Sequence, residues 1–194
     1  MCFFKTVWTH FRLIISNCSS QQFNTGNLWH HSIYIMSNNE LNELVAILND
    51  KQLTIAFAES VTAGYVGCQF SKALNVSEVY KGSVVAYQET IKTQLLGVSQ
   101  STLDTYTAES QEVTNEMAVG IKKLYDVDIA VAITGLANPG GSESPSKPVG
   151  TVFITIIHAN QQHKFQTVFS GSREEIIAKS TQTIFEHLKK IITS

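Results

Sequence analysis

The sequence predicts a single α/β domain: a three-layer α/β/α arrangement around a mixed, mostly parallel sheet that carries an antiparallel hairpin late in the chain. Three observations predict it. From residue 37 onward, short apolar runs alternate with segments of helical periodicity. Two of the runs, Leu53–Ala58 and Asp128–Thr134, are close to continuously apolar, as strands covered on both faces are. Late in the chain, two further runs flank the polar turn Asn160-Gln161-Gln162, which is a hairpin pattern. With 194 residues, 43% of them apolar and 15% charged, the chain has the material for one buried core.

Each element has its own reason. Ser37-Asn-Asn-Glu40 has the Ser-x-x-Glu spacing of a capping box and opens a helix with Leu41, Leu44, Val45 and Leu48 on one face. Leu53–Ala58 is the first strand, and helical texture follows from Thr62 to Leu74. Ser83–Tyr87 is the second strand, and the next helix runs to Leu96, where Gly97 stops it. Ser110 caps a helix with Val113, Met117, Ile121 and Leu124 on its apolar face, and Asp128–Thr134 is the third strand. A Gly/Pro/Ser-rich loop spans Gly135–Pro148, and the hairpin pairs Thr151–Ile157 with Lys164–Phe169. Ser172-Arg-Glu-Glu175 is a second capping box, opening a last helix with Ile177, Ile184, Leu188 and Ile191 facing inward.

The first 35 residues have a different composition. They contain Lys5 and Arg12 but no acid, together with Trp8, Trp29, Cys2 and Cys18. Their longest strongly apolar run, Leu13–Ile15, is too short for a secretory signal, and nowhere does the chain hold the roughly 20 apolar residues that span a membrane. Residues 1–36 are therefore expected to be a non-domain extension, disordered or upstream of a true start at Met36. The domain is expected at 37–194, cytoplasmic and not membrane-bound. Cys68 is then the one cysteine of the domain, which excludes a disulfide framework or a paired-cysteine metal site there. A net charge of −2 argues against general nucleic-acid binding.

Ligands of open α/β sheets bind beyond the carboxyl ends of the strands, and three segments lie at such ends. In Ala58-Glu-Ser-Val-Thr-Ala-Gly64, Ser60 sits at a strand-to-helix transition, where helix N-terminal N–H groups favour an anion. Equally, Ser60 or Thr62 serves only as the helix cap. In Tyr87-Gln-Glu-Thr-Ile-Lys92, the lysine acts as a base only if burial or nearby cations lower its pKa from about 10.4. Serine with lysine is a variant of the activated nucleophile. By itself the segment reads as a solvated lysine and a core tyrosine. The third segment is Thr134-Gly-Leu-Ala-Asn-Pro-Gly-Gly-Ser142 with Lys147-Pro-Val-Gly-Thr151, whose glycine N–H groups either converge on a phosphate or form an ordinary surface loop. Arg173, at the start of the last helix, either holds a phosphate or carboxylate or is a surface arginine. His158, His163 and His187 lack metal-ligand spacing, so no metal is expected.

Taken together and in this order, these segments resemble the C-terminal domain of the CinA family, known also as stand-alone nicotinamide-nucleotide amidohydrolases, over about residues 38–192. The matching stretches include Gly82–Lys92, Leu96-Gly-Val98, Ile133–Gly141, Lys147–Val152 and Phe169–Arg173. The resemblance implies hydrolysis of the carboxamide of nicotinamide mononucleotide to the carboxylate with release of ammonia, in pyridine-nucleotide salvage, without metal or cofactor. Carried over residue by residue, Ser60 matches the nucleophile, Lys92 the base, Tyr87 the supporting tyrosine and Arg173 the arginine before the last helix. Thr134, Gly135, Gly140 and Gly141 would lie at the nucleotide, Thr62 and Gly64 in the turn after the nucleophile, and Glu59 near the pyridinium charge. A homo-oligomer with a small-molecule nucleotide as its partner is expected.

Three departures from the family pattern stand out. Ala63 occupies the middle of a usual Thr-Gly-Gly, Asn138 replaces the glycine of Gly-Pro, and Glu89 stands where asparagine is common. Ala63 crowds the turn if a positive φ is needed there. Asn138 tolerates the left-handed region, and Glu89, if close, raises the Lys92 pKa. The alternatives are a non-catalytic nucleotide-binding module on the same fold and a metal-dependent phosphate-bond hydrolase.

Overall fold

The computed structural model describes residues 37–194. The expected extension at 1–36 lies outside the described residues. In chain order the elements are α1 (Asn38–Asp50), β1 (Ile55–Glu59), α2 (Tyr65–Phe70), a 3₁₀ turn (Val76–Glu78), β2 (Tyr80–Val85), α3 (Glu89–Leu96), α4 (Gln100–Tyr106), α5 (Gln111–Tyr125), β3 (Ile129–Gly135), β4 (Thr151–His158), β5 (Gln161–Val168) and α6 (Arg173–Thr193).

The five strands form one mixed sheet in the order β2-β1-β3-β4-β5. β1 pairs in parallel with β2 and β3, whereas β4 runs antiparallel to both β3 and β5. The sheet is mixed as expected, with β4 running against the other four strands and the antiparallel hairpin β4–β5 at one edge. Its parallel half brings the carboxyl ends of β1, β2 and β3 to one edge, and the chain leaves each of them into a segment that the sequence marks as chemical.

Side-chain size sorts the two faces. In Ile55–Glu59 and Ile129–Gly135, bulky residues alternate with alanines. Ile55, Phe57, Ile129, Val131 and Ile133 pack with α1, α2 and α6 residues such as Leu44, Phe70 and Phe185. Ala56, Ala58, Ala130 and Ala132 face the other way, toward Leu96, Val113, Met117 and Ile121. Alanines let α5 lie close on the sheet, and the same closeness recurs between α3 and α5. A Cβ on Gly120 would stand 1.9 Å from the Leu96 carbonyl oxygen.

Both capping boxes form, at Ser37/Glu40 and Ser172/Glu175. Gly97 ends α3 with φ +68°. Several expectations need correction. The helix expected over 62–74 is the six-residue α2, for a reason given below. The second strand begins at Tyr80, leaving Ala86 and Tyr87 beyond its end. In α5 the stripe continues to the partly buried Tyr125, and Leu124 is exposed. In α6 the buried stripe is Ile176, Ser180, Ile184, Leu188 and Ile192, spaced four apart, with Ile177 and Ile191 only flanking it. The hairpin turn is just Ala159-Asn160, both with positive φ, as a two-residue turn requires. Gln161 and Gln162 already pair in β5, an edge strand whose open face accepts polar side chains. Helix α4 was not anticipated; Ser99 caps it, and Leu103 is its one buried residue, too few for an apolar stripe to be visible.

Gly120→Ala is expected to lower the unfolding free energy by about 1–3 kcal/mol, because backbone rather than a flexible side chain must move to admit the methyl group. Urea unfolding of the two proteins measures it.

Candidate active site

The site is organised by a carboxylate at the end of β1. Glu59 is fully buried. Its Oε2 accepts from Thr62 Oγ1 (2.8 Å) and from the N–H groups of Gly64 and Val66 (3.0 Å each). Its Oε1 accepts from the Gly67 N–H (2.9 Å) and Ser83 Oγ (3.1 Å). Glu59 thus occupies the N-terminus of α2, where both the unpaired N–H groups and the helix dipole favour an anion. Neither Ser60 nor Thr62 caps that helix. The wrap around the carboxylate delays the helix to Tyr65 and leaves Ser60 on a turn of its own. Glu59 lines no part of the cleft described below, so it has no route to a substrate ring.

Ser60 meets its partner from the next strand. Lys92, on the first turns of α3, is only 1% exposed. Its Nζ lies 3.0 Å from Ser60 Oγ, 2.6 Å from the Ala86 carbonyl and 3.3 Å from the Tyr87 carbonyl. Among the described residues, no carboxylate lies within ion-pair distance of this nitrogen. Burial lowers the Lys92 pKa from its ordinary 10.5; the charges of Glu109 and, next, Glu89 pull it upward but do not win. Of the three partners, the two carbonyls only accept, whereas the hydroxyl also donates. An ammonium donates to all three; a neutral amine satisfies the same partners with two N–H groups on the carbonyls and its lone pair toward the Ser60 hydroxyl.

Above the pair lies a cleft of about 330 Å³. Ser60, Tyr87, Gly135, Gly140, Gly141 and Arg173 line it, which brings three separate sequence segments and the start of α6 together. Lys92 stands beneath it behind Ser60. Thr62, Gly64 and Thr134 do not line it: Thr62 serves Glu59, Gly64 makes the φ +95° entry into α2, and Thr134 is buried against Thr114 Oγ1 at 2.8 Å. The Tyr87 side chain is 59% exposed, and its contribution to Lys92 is its carbonyl. Ala63 has φ +49°, the strained geometry that its departure from glycine raised. In the glycine-rich loop the positive φ falls on Gly140 rather than Asn138.

Sequence reasoning missed Glu109, which also lines the cleft. It directly precedes Ser110, the cap of α5. A usable signal existed: α5 leads into a parallel strand, so its N-terminus must lie at the carboxyl edge of the sheet, and so must the residue before its cap. Lys147 fastens this region to the loop, donating to Thr107 Oγ1, the Glu109 carbonyl and Ser142 Oγ at 2.8, 2.9 and 2.7 Å.

Two outcomes follow from this geometry. Glu59→Gln turns an oxygen that meets N–H and O–H donors into a donor itself, and is expected to destabilise the protein by about 3 kcal/mol in urea unfolding. Between the lowered Lys92 pKa and 10.5, the unfolded chain holds a proton that the folded chain does not. Stability therefore rises with pH across that window, and part of the rise should vanish in Lys92→Met; unfolding curves at several alkaline pH values test it.

A sequence model of the CinA C-terminal domain matches residues 38–192. A CinA-like protein of Thermotoga neapolitana is 39% identical over 159 residues, which cover 81% of this chain and 38% of that protein. A Fervidobacterium nodosum CinA-like protein is 38% identical and covered to 39%. The chain thus spans well under half the length of these relatives. It covers 92% of the MG115 homolog of Mycoplasma pneumoniae, at 39% identity over 148 residues. A CinA superfamily protein of Klebsiella pneumoniae superposes with a TM-score of 0.76 at 26% identity, covering 80% of this chain and 97% of that one. The Agrobacterium tumefaciens competence/damage-inducible protein CihA gives 0.76 at 28%, covering 81% and 95%. The fold, the ordered segments around the cleft and these matches together make the chain a member of the CinA family, built on its C-terminal domain.

Proposed function

We propose that this chain hydrolyses the carboxamide of nicotinamide mononucleotide to nicotinate mononucleotide and ammonia. The observation that carries the reading is the 3.0 Å contact between the Nζ of a buried, carboxylate-free lysine and a hydroxyl at the floor of a cleft. Neutral Lys92 takes the Ser60 proton as Oγ attacks the amide carbon. The carbonyl π electrons move to oxygen. The N–H group of Val61, which lines the cleft beside Ser60 and donates to no acceptor among the described residues, is available to that oxyanion. The Lys92 ammonium returns its proton to the departing nitrogen, and the C–N bond breaks to release ammonia. Water then attacks the acyl carbon, Lys92 accepting its proton; the C–O bond to Ser60 breaks as the Lys92 ammonium returns that proton to Oγ, and the released acid ionises to the carboxylate product. Arg173, at the cleft and at the start of α6, suits the phosphate of the nucleotide.

Ammonia release from nicotinamide mononucleotide, measured with the full chain, tests the reading. Turnover insensitive to chelators is expected. It should be lost in Ser60→Ala and reduced about 10²–10⁴-fold in Lys92→Met. Because the base works unprotonated, kcat/KM should rise with pH and level off above the lowered Lys92 pKa, below 10.5. Saturable nucleotide binding without ammonia, or full activity in Ser60→Ala, would sink the amidase.

A further inference from the structure

We propose that Glu109 is the residue that selects a positively charged ring in this cleft, so that the site takes pyridinium nucleotides in preference to their neutral, reduced counterparts. The inference rests on the reading of the cleft as a nicotinamide-nucleotide site. Among the residues that line the cleft, two carry formal charge, Glu109 and Arg173. A ligand with a cationic ring and an anionic phosphate matches one to each.

The carboxylate is available. Its Oε2 accepts from Ser142 Oγ at 2.5 Å, while its Oε1 accepts from no donor among the described residues. The nearby Lys147 forms no ion pair with it: the three contacts of that ammonium go to Thr107, to Ser142 and to the Glu109 backbone carbonyl, so it reaches the carboxylate only through the Ser142 hydroxyl. Arg173 makes no ion pair with it either. Glu109 is partly buried, so its charge is less screened than that of a surface acid. It also lies close enough to the reacting pair that its charge acts on Lys92.

The other carboxylates nearby are unsuited. Glu59 is enclosed by five donors, and Glu89 is exposed on α3 and does not line the cleft. The competing account of Glu109 is that it merely anchors the glycine-rich loop through Ser142. Glutamine separates the two, since its carbonyl oxygen still accepts from Ser142 but the charge is gone.

The test uses the full chain carrying Ser60→Ala, so that binding is read without turnover. Titration calorimetry compares nicotinamide mononucleotide with its reduced form, which keeps the carboxamide, ribose and phosphate but has a neutral dihydropyridine ring. The cationic form is expected to bind about tenfold more tightly or better. Adding Glu109→Gln should erase that preference by weakening the cationic ligand alone, and Glu109→Asp should retain most of it. An unchanged preference in Glu109→Gln, equal weakening of both ligands, or no binding of either overturns the proposal. A Glu109-dependent preference in a protein whose Ser60 form releases no ammonia would leave the inference standing and remove only the amidase.

Discussion

The arrangement of the site follows from one buried carboxylate. Glu59 ends β1, and everything that leaves the sheet beside it turns around its two oxygens. The backbone groups of Gly64, Val66 and Gly67 must reach it, so the chain between 60 and 64 is a compact turn and α2 begins late. Ser83 ties β2 to the same point, and Tyr80 extends the link at 2.6 Å. A Cβ on Gly67 would lie 2.6 Å from Ser83 Oγ, so the close approach of α2 to β2 also depends on that residue. A carboxylate in this position satisfies helix N–H groups that would otherwise be left for a ligand or for Ser60. The anion that the start of α2 attracts is the protein's own.

Ser60 is therefore answered by a side chain from elsewhere in the sheet. β1 and β2 are parallel neighbours, and the Ala86 N–H donates to the Glu59 carbonyl at 2.7 Å, extending their pairing to the residue before Ser60. After the three residues Ala86–Gln88 that follow the strand, α3 starts, and its first turns carry Lys92 back under the sheet edge. The lysine is positioned by carbonyls, not by an opposite charge. That distinction decides its chemistry: a carboxylate partner would hold the proton on, whereas carbonyls in a desolvated pocket do not compensate for burial. Glu109 and Glu89 act in the opposing direction from a distance, and burial outweighs both.

Much of this was legible in the residues. The capping boxes at Ser37 and Ser172, the stop at Gly97 and the apolar runs of β1 and β3 are local signals, and local physics realises them. The pairing of Ser60 with Lys92 was legible only through the family resemblance, because 32 residues and a strand crossing separate them. Glu59 was misjudged for a related reason. An acid next to a nucleophile invites a role toward the ligand, yet strand alternation turns adjacent side chains to opposite sides, and Glu59 points into the protein while Ser60 meets the cleft. Glu109 was overlooked because nothing in its neighbourhood looks like a motif. Its importance comes from topology, which sets the start of α5 over the same edge.

Ala63 is the clearest conflict between local preference and the site. A non-glycine residue at φ +49° costs about 1–2 kcal/mol relative to the right-handed region. The turn nonetheless keeps its form, with Ala63 N–H on the Ser60 carbonyl at 3.1 Å and Tyr65 N–H on the Thr62 carbonyl at 2.9 Å. The balance explains why. Three backbone N–H groups and a hydroxyl within this turn and α2 are committed to Glu59, and each buried donor left without its acceptor would cost about 1–3 kcal/mol. Relaxing one φ would strand several of them, so the strain at Ala63 is the smaller term and is retained. Its methyl group is exposed rather than wedged against the cleft. The alanine at this position therefore bears on stability, while the geometry of Ser60 is set by the carboxylate behind it.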